Sequence, residues 1–170
     1  LLLSEQPPES ASHIIEHRLT PTVYTRTFLD ALARERPNGL PVHLKVDTGM
    51  QRVGARPDDV ANVVAAIAAH GSTLLLVGAF THLAMADEPD DDFTATQLER
   101  FDAAIADLSD LVMAGTGTGG TELLVHVANS AGALAHPAAR RAFVRAGIAI
   151  YGISPGPAVD DLCRELRPAL

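Results

Sequence analysis

Six short apolar runs recur along the chain: Leu1 to Ser4, Thr22 to Thr25, Val42 to Asp47, Leu74 to His82, Leu123 to Ala128 and Val144 to Gly152. Between most of them, apolar residues fall at helical intervals: Ser12 to Arg18, Thr27 to Arg36, Asp58 to His70, Phe93 to Met113, and a short piece from Ser130 to Ala135. Strand-like runs alternating with helical ones predict a parallel α/β fold, because parallel strands need a crossover and a helix usually supplies it. The run Leu74-Leu75-Leu76-Val77-Gly78-Ala79-Phe80 is almost unbroken in apolar residues, the pattern of a strand covered on both faces. Pro57 suits the first turn of a helix, and Gly71 suits a helix end.

Polar residues cluster just after the predicted strands: Asp47 to Arg52, His82 to Glu88, and Asn129-Ser130. In parallel α/β folds that face binds ligands. The glycine-rich stretch from Ala114 to Gly120 resembles a phosphate loop only in composition. It precedes a predicted strand instead of following one and has no lysine after it, so it reads as a mobile connector. The acidic run Asp87-Glu88 and Asp90-Asp91-Asp92 lacks the ligand order of a calcium loop and reads as a solvated segment capping the next helix.

Composition narrows the partners. At 170 residues, 47% hydrophobic, the chain fits one globular domain without an apolar run of bilayer length. A net charge of -8 repels phosphate backbones and anionic lipid heads, which argues against nucleic acid and membrane surfaces. The lone Cys163 cannot form an internal disulfide, so a reducing cytoplasm is expected. The apolar opening Leu1-Leu2-Leu3 and the ending Arg167-Pro168-Ala169-Leu170 both read as cuts through a longer protein.

Four residues stand out chemically. His82 ends the strongest strand and should face the mouth of the sheet, where a structural and a functional histidine are about equally expected. His126 sits in Leu-Leu-Val-His-Val-Ala and needs a hydrogen-bond partner there. Arg145, inside Phe-Val-Arg-Ala-Gly-Ile, cannot lose its charge and must meet an acceptor or a ligand, with His126 one candidate. Lys45 is the only lysine and lies in an apolar strand. An ion pair, a Schiff-base lysine and a charge-altering modification all remain open for it.

Four segments, in this order, resemble alanine racemase: His43-Leu-Lys-Val-Asp-Thr-Gly-Met-Gln-Arg-Val-Gly54, Thr81-His-Leu-Ala-Met-Ala-Asp-Glu88, His126-Val-Ala-Asn-Ser-Ala131 and Val144-Arg-Ala-Gly-Ile-Ala-Ile-Tyr-Gly152. The resemblance covers essentially the whole chain. It implies a partial (β/α)8 TIM barrel of fold type III, strands 3 to 8, over residues 1–161, with 162–170 leading toward a C-terminal β domain. It also implies pyridoxal 5'-phosphate, interconversion of L-alanine and D-alanine for peptidoglycan, and a homodimer, with no metal.

The resemblance assigns roles residue by residue. His82 would lie against the cofactor ring and Arg52 would reach its phenolic oxygen. Arg145 would donate to the pyridine nitrogen with support from His126. Ser130 and the amides near Gly147 and Ile148 would hold the phosphate, with Asn129 beside them. Lys45 would be a carbamylated lysine that positions Arg52. The family's Schiff-base lysine and catalytic tyrosine match no position here, so the chain alone is expected to be inactive. Gln51 stands where glycine or asparagine is common and Gly132 where alanine is common. Alternatives are a serine racemase of the same fold, a non-catalytic cofactor-binding barrel, and a phosphate-binding sugar isomerase or aldolase barrel, the last having no need of Arg145.

Overall fold

In the computed structural model, residues 1–106, 108 and 123–168 are described. Four of the six apolar runs form strands: β1 Thr22–Val23, β2 Leu40–Lys45, β3 Leu74–Phe80 and β4 Leu124–His126. All pair in parallel in the order β1-β2-β3-β4, each strand beside the next in sequence. This is an α/β arrangement consistent with part of a (β/α)8 barrel.

The other two runs were expected as strands and are not. Leu1 to Ser4 runs beside β1, with Leu2 N donating to Thr20 O at 2.9 Å. Phe143 to Gly147 runs beside β4, with Ala142 N donating to Val125 O and Arg145 N to Ala128 O, each at 2.9 Å, before a 3-10 turn at Ile148–Tyr151. Apolar content made these segments look like strands. Strand geometry also needs a continuous ladder, and one or two isolated hydrogen bonds to a neighbour do not make one.

Helices carry the chain between strands: α2 Arg26–Arg34, α3 Val60–Ala69 and α4 Phe93–Ile105, with α1 Ala11–Glu16 before β1 and α5 Ser130–Ala135 and α6 Asp160–Cys163 after β4. In α2 the Thr25 hydroxyl caps the start by accepting from Phe28 N at 3.3 Å, and Phe28, Leu29 and Leu32 are buried. In α3 Val60, Val63, Val64 and Ile67 make the buried stripe. Pro57 opens the 3-10 turn leading into α3, and Gly71, with φ of 58°, follows its end, as the sequence indicated. Asp91 accepts from Phe93 N at 2.7 Å ahead of α4, the capping role expected of the acidic run. The glycine-rich stretch lies outside the described residues. Among the described residues no helix is long and apolar enough to cross a membrane.

A bulge sits in the second half of the sheet's long pair, β2 with β3, toward the carboxyl ends of the strands. Val42 pairs with Leu76 but His43 pairs with Gly78, so β3 carries one extra residue, Val77. Beyond the bulge, Gly78 has no room for a side chain. A Cβ there would lie 2.3 Å from His43 Cε1 and 2.4 Å from its Nδ1.

The loops after β2 and β3 are tied together by buried polar groups. Thr48 Oγ1 lies 2.8 Å from Thr81 Oγ1. Gln97 of α4 is fully buried; its amide donates to Thr48 Oγ1 at 3.1 Å and to His82 O at 3.0 Å, and it accepts from Ala84 N at 2.8 Å. Replacing Gln97 by leucine leaves the Ala84 amide and the His82 carbonyl without their partner. Gln97→Leu should therefore lower unfolding free energy by about 2–4 kcal/mol. Urea denaturation measures this, and a loss below about 0.5 kcal/mol would remove Gln97 from its tying role.

Candidate functional site

Six of the residues expected at the site, His82, Asn129, Ser130, Arg145, Gly147 and Ile148, line one cavity of 370 Å³ at the carboxyl ends of the strands. Asn129 shapes one wall. Its side chain caps α5 by accepting from Gly132 N at 2.9 Å, and its amide donates to Leu83 O at 3.2 Å. Ser130 is 5% exposed and its hydroxyl accepts from Ala149 N at 3.3 Å. A Cβ built on Gly147 would meet only the Ser130 hydroxyl, at 3.9 Å, so the space before that hydroxyl is open to a ligand. Asp87, which also lines the cavity, packs on Gly156, where a Cβ would lie 2.9 Å from the Asp87 Cβ.

Arg145 meets His126, one of the acceptors its setting in the sequence made a candidate. One guanidinium nitrogen lies 2.6 Å from His126 Nδ1, and the other donates to Thr81 O at 2.8 Å and Val127 O at 2.9 Å. Burial lowers its pKa to about 10, which leaves it charged at neutral pH. His126 is fully buried between two rings, stacked on Phe80 at 4.5 Å and on Phe143 at 4.3 Å.

Lys45 is 5% exposed and its ammonium donates to Leu3 O at 3.2 Å, 5.4 Å from the Phe80 ring centre. Its pKa is depressed by burial first, then by the fields of Arg52 and Arg145, with Asp47 opposing. His82 is pushed down to about 4, by burial and then by Arg145, Lys45 and Arg52. The same three cations thus act on one imidazole, an electropositive setting suited to an anion.

Arg52 stands apart from the others: it is exposed and does not line the cavity. Asp47 holds its loop. One carboxylate oxygen accepts from Gly49 N and Gln51 N, each at 3.0 Å, and the other from Arg52 N at 2.9 Å. Gln51 has φ of 54°, the left-handed region that glycine or asparagine adopts at less cost than glutamine. At Gly132 a Cβ would come within 2.9 Å of Leu83 Cδ1, so glycine leaves room for that leucine.

Sequence reasoning passed over Phe80, Thr81, Phe143 and His43. Phe80 lies under both cations, with the Arg145 guanidinium 5.2 Å from its centre. Thr81 contributes through its backbone carbonyl, which no side-chain pattern reveals.

The family profile described as "Alanine racemase, N-terminal domain" matches residues 1–155. The chain is 39% identical over 173 residues to an alanine racemase of Symbiobacterium thermophilum, covering 100% of this chain and 44% of that protein. Among solved structures it is similar to alanine racemase from E. faecalis, with a TM-score of 0.79 at 34% identity, covering 98% of this chain and 43% of that one. Against alanine racemase from the D-cycloserine producer Streptomyces lavendulae the TM-score is 0.83 at 31% identity, covering 96% and 43%. The chain spans less than half the length of these relatives.

Three imidazoles here carry depressed pKa values: His43 and His82 at about 4 and His126 at about 3, in each case through burial first. Unfolded, each returns to about 6.5 and binds a proton more readily than the folded form does. Their stabilising effect is therefore complete above pH 6.5 and declines as pH falls toward 4. Denaturant titrations should show stability dropping steadily over that window, with up to three protons taken up on unfolding. A flat profile from pH 7 to about 4.5 would contradict the neutral state of these rings in the fold.

Proposed function

Because the chain belongs to the alanine racemase family, as its N-terminal domain of fold type III, we propose that the parent enzyme interconverts L- and D-alanine with pyridoxal 5'-phosphate in the strand-end cavity. The observation that carries this reading is that His82, Arg145, Ser130, Gly147 and Ile148 line one cavity at the strand ends, a cation and an open hydroxyl with backbone amides facing the same space. A flat ring bearing a phosphate and a phenolic oxygen fits that donor set. When bound, this cofactor supplies an electron-accepting ring that acidifies the hydrogen on the substrate Cα.

The Ser130 hydroxyl and the backbone N–H groups of Gly147 and Ile148 would bind the phosphate, with Asn129 holding Ser130 in place by capping α5. His82 would pack against the ring. Arg145 would donate to the pyridine nitrogen and, as a permanent cation, would oppose protonation there and so moderate the ring's electron withdrawal. Arg52 would reach the phenolic oxygen from the loop that Asp47 holds. Lys45, if carbamylated, would be an anion able to accept from Arg52 and answer the cationic field around it.

Residues 1–161 form part of the cofactor-binding barrel and 162–170 lead toward a second domain. The lysine bonded to the cofactor and the tyrosine serving as second proton donor belong to other parts of a cytoplasmic, homodimeric parent. This chain alone is therefore expected to show no turnover.

In the full-length protein, added pyridoxal phosphate should give a bound-cofactor absorbance and interconversion of alanine enantiomers on chiral chromatography. A protein with neither overturns the proposal. Arg145→Ala should lower racemisation by about tenfold or more, with cofactor occupancy nearly kept and a larger share of transamination. An unchanged share would count against the role given to Arg145.

For Lys45, carbon NMR with labelled bicarbonate should detect a carbamate that disappears in Lys45→Ala. That variant should keep its cofactor absorbance, lose activity, and regain part of it with added acetate. Loss of the absorbance instead would make Lys45 the residue bonded to the cofactor.

A further inference from the structure

His43 is 5% exposed, in the middle of the β2 ladder, and the roles assigned above leave it without one. Its Nδ1 lies 3.0 Å from His126 Nε2, and His126 Nδ1 lies 2.6 Å from the Arg145 guanidinium. A guanidinium offers only donors, so His126 Nδ1 must accept. The His126 ring proton is then on Nε2, aimed at His43 Nδ1, which accepts in turn. The hydrogen bonds run one way, from Arg145 through His126 to His43.

We infer that His43 is a positioning residue for Arg145: by accepting the Nε2 proton of His126, it holds that ring in the tautomer and orientation that receive the guanidinium. The inference rests on the reading of the cavity as a cofactor site with Arg145 as its cation. Phe80 and Phe143 cover both faces of the His126 ring, leaving its partners to its edge. Without His43, the Nε2 proton becomes a buried donor with no acceptor. The ring regains a partner only by turning or sliding between the phenyl groups, and either motion withdraws Nδ1 from Arg145.

A second, independent feature points the same way. The β3 bulge sets Gly78 opposite His43, and a Cβ on Gly78 would come within 2.8 Å of three atoms of the His43 ring. The imidazole occupies the volume of the absent side chain. Gly78→Ala therefore displaces His43 without removing any hydrogen-bonding group. A histidine that only filled space would need neither the aligned nitrogens nor the one-way order of donors.

The test uses the full-length protein labelled at histidine nitrogens, with the His126 signals assigned by their loss in His126→Gln. The wild type should show a neutral His126 protonated at Nε2. A charged ring, or one protonated at Nδ1, overturns the inference before any variant of His43 is made. His43→Phe and Gly78→Ala should each disturb that signature, while His43→Asn, whose amide oxygen can stand in for Nδ1, should preserve it.

With cofactor bound, His43→Phe and Gly78→Ala should lower racemisation kcat by about tenfold to a hundredfold, leave KM within about twofold, and raise the share of transamination; His43→Asn should restore most of the loss. If kcat and that share are unchanged in His43→Phe, the positioning role is wrong although the cofactor reading stands. If the wild type binds no cofactor, the cofactor reading fails, and the His126 signature still decides whether His43 sets its tautomer.

Discussion

Arg145 cannot give up its charge, and the end of the sheet is arranged around that fact. Its acceptors are the Thr81 carbonyl just past β3, the Val127 carbonyl just past β4, and His126 Nδ1. Carbonyls beyond the last rung of a parallel ladder have no strand partner, so they are available to a buried cation. One residue thus satisfies both strand ends and is fixed by them. Desolvating a guanidinium is tolerable only when acceptors surround it. Three of them account for a cation standing on the wall of the cavity instead of retreating to solvent.

The loops that carry the rest of the site are held by other buried polar groups. Asp47 folds the loop from Gly49 to Arg52 around its carboxylate, and Gly54 closes that loop where a Cβ would lie 2.8 Å from Asp47 N. The Thr48–Thr81 contact joins the loops after β2 and β3, and Gln97 pins both to α4. Backbone held in this way keeps its shape before a ligand arrives, which reduces the entropy lost on binding.

Much of this was legible in the sequence where local rules suffice. The strands over Val42 to Asp47 and Leu74 to His82 follow from apolar content, Pro57 and Gly71 mark the bounds of α3, and the need of a buried cation for an acceptor made His126 a candidate partner of Arg145. What stayed hidden depends on long-range register. His43 and His126 are 83 residues apart, and nothing local distinguishes a histidine that accepts a proton from one that fills a strand. Gly78 looks like an ordinary strand glycine until the bulge sets it against an imidazole. Val144 to Gly152 failed as a strand because its apolar residues said nothing about a ladder partner.

Lys45 exposes the imbalance this arrangement creates. The ammonium has a carbonyl and an aromatic face nearby, both weaker partners for a cation than a carboxylate, and it lies in the fields of Arg52 and Arg145. The smaller influence of Asp47 opposes them, and Asp47 is already engaged by three backbone amides. A site built with this excess of positive charge favours whatever brings in an anion. The phosphate and phenolic oxygen of a bound cofactor would do so from the cavity side, and conversion of the amine to a carbamate would do so from within the strand. The two would draw on the same cationic field, so each anion would lessen the attraction that favours the other, and the field has to be strong enough to hold both.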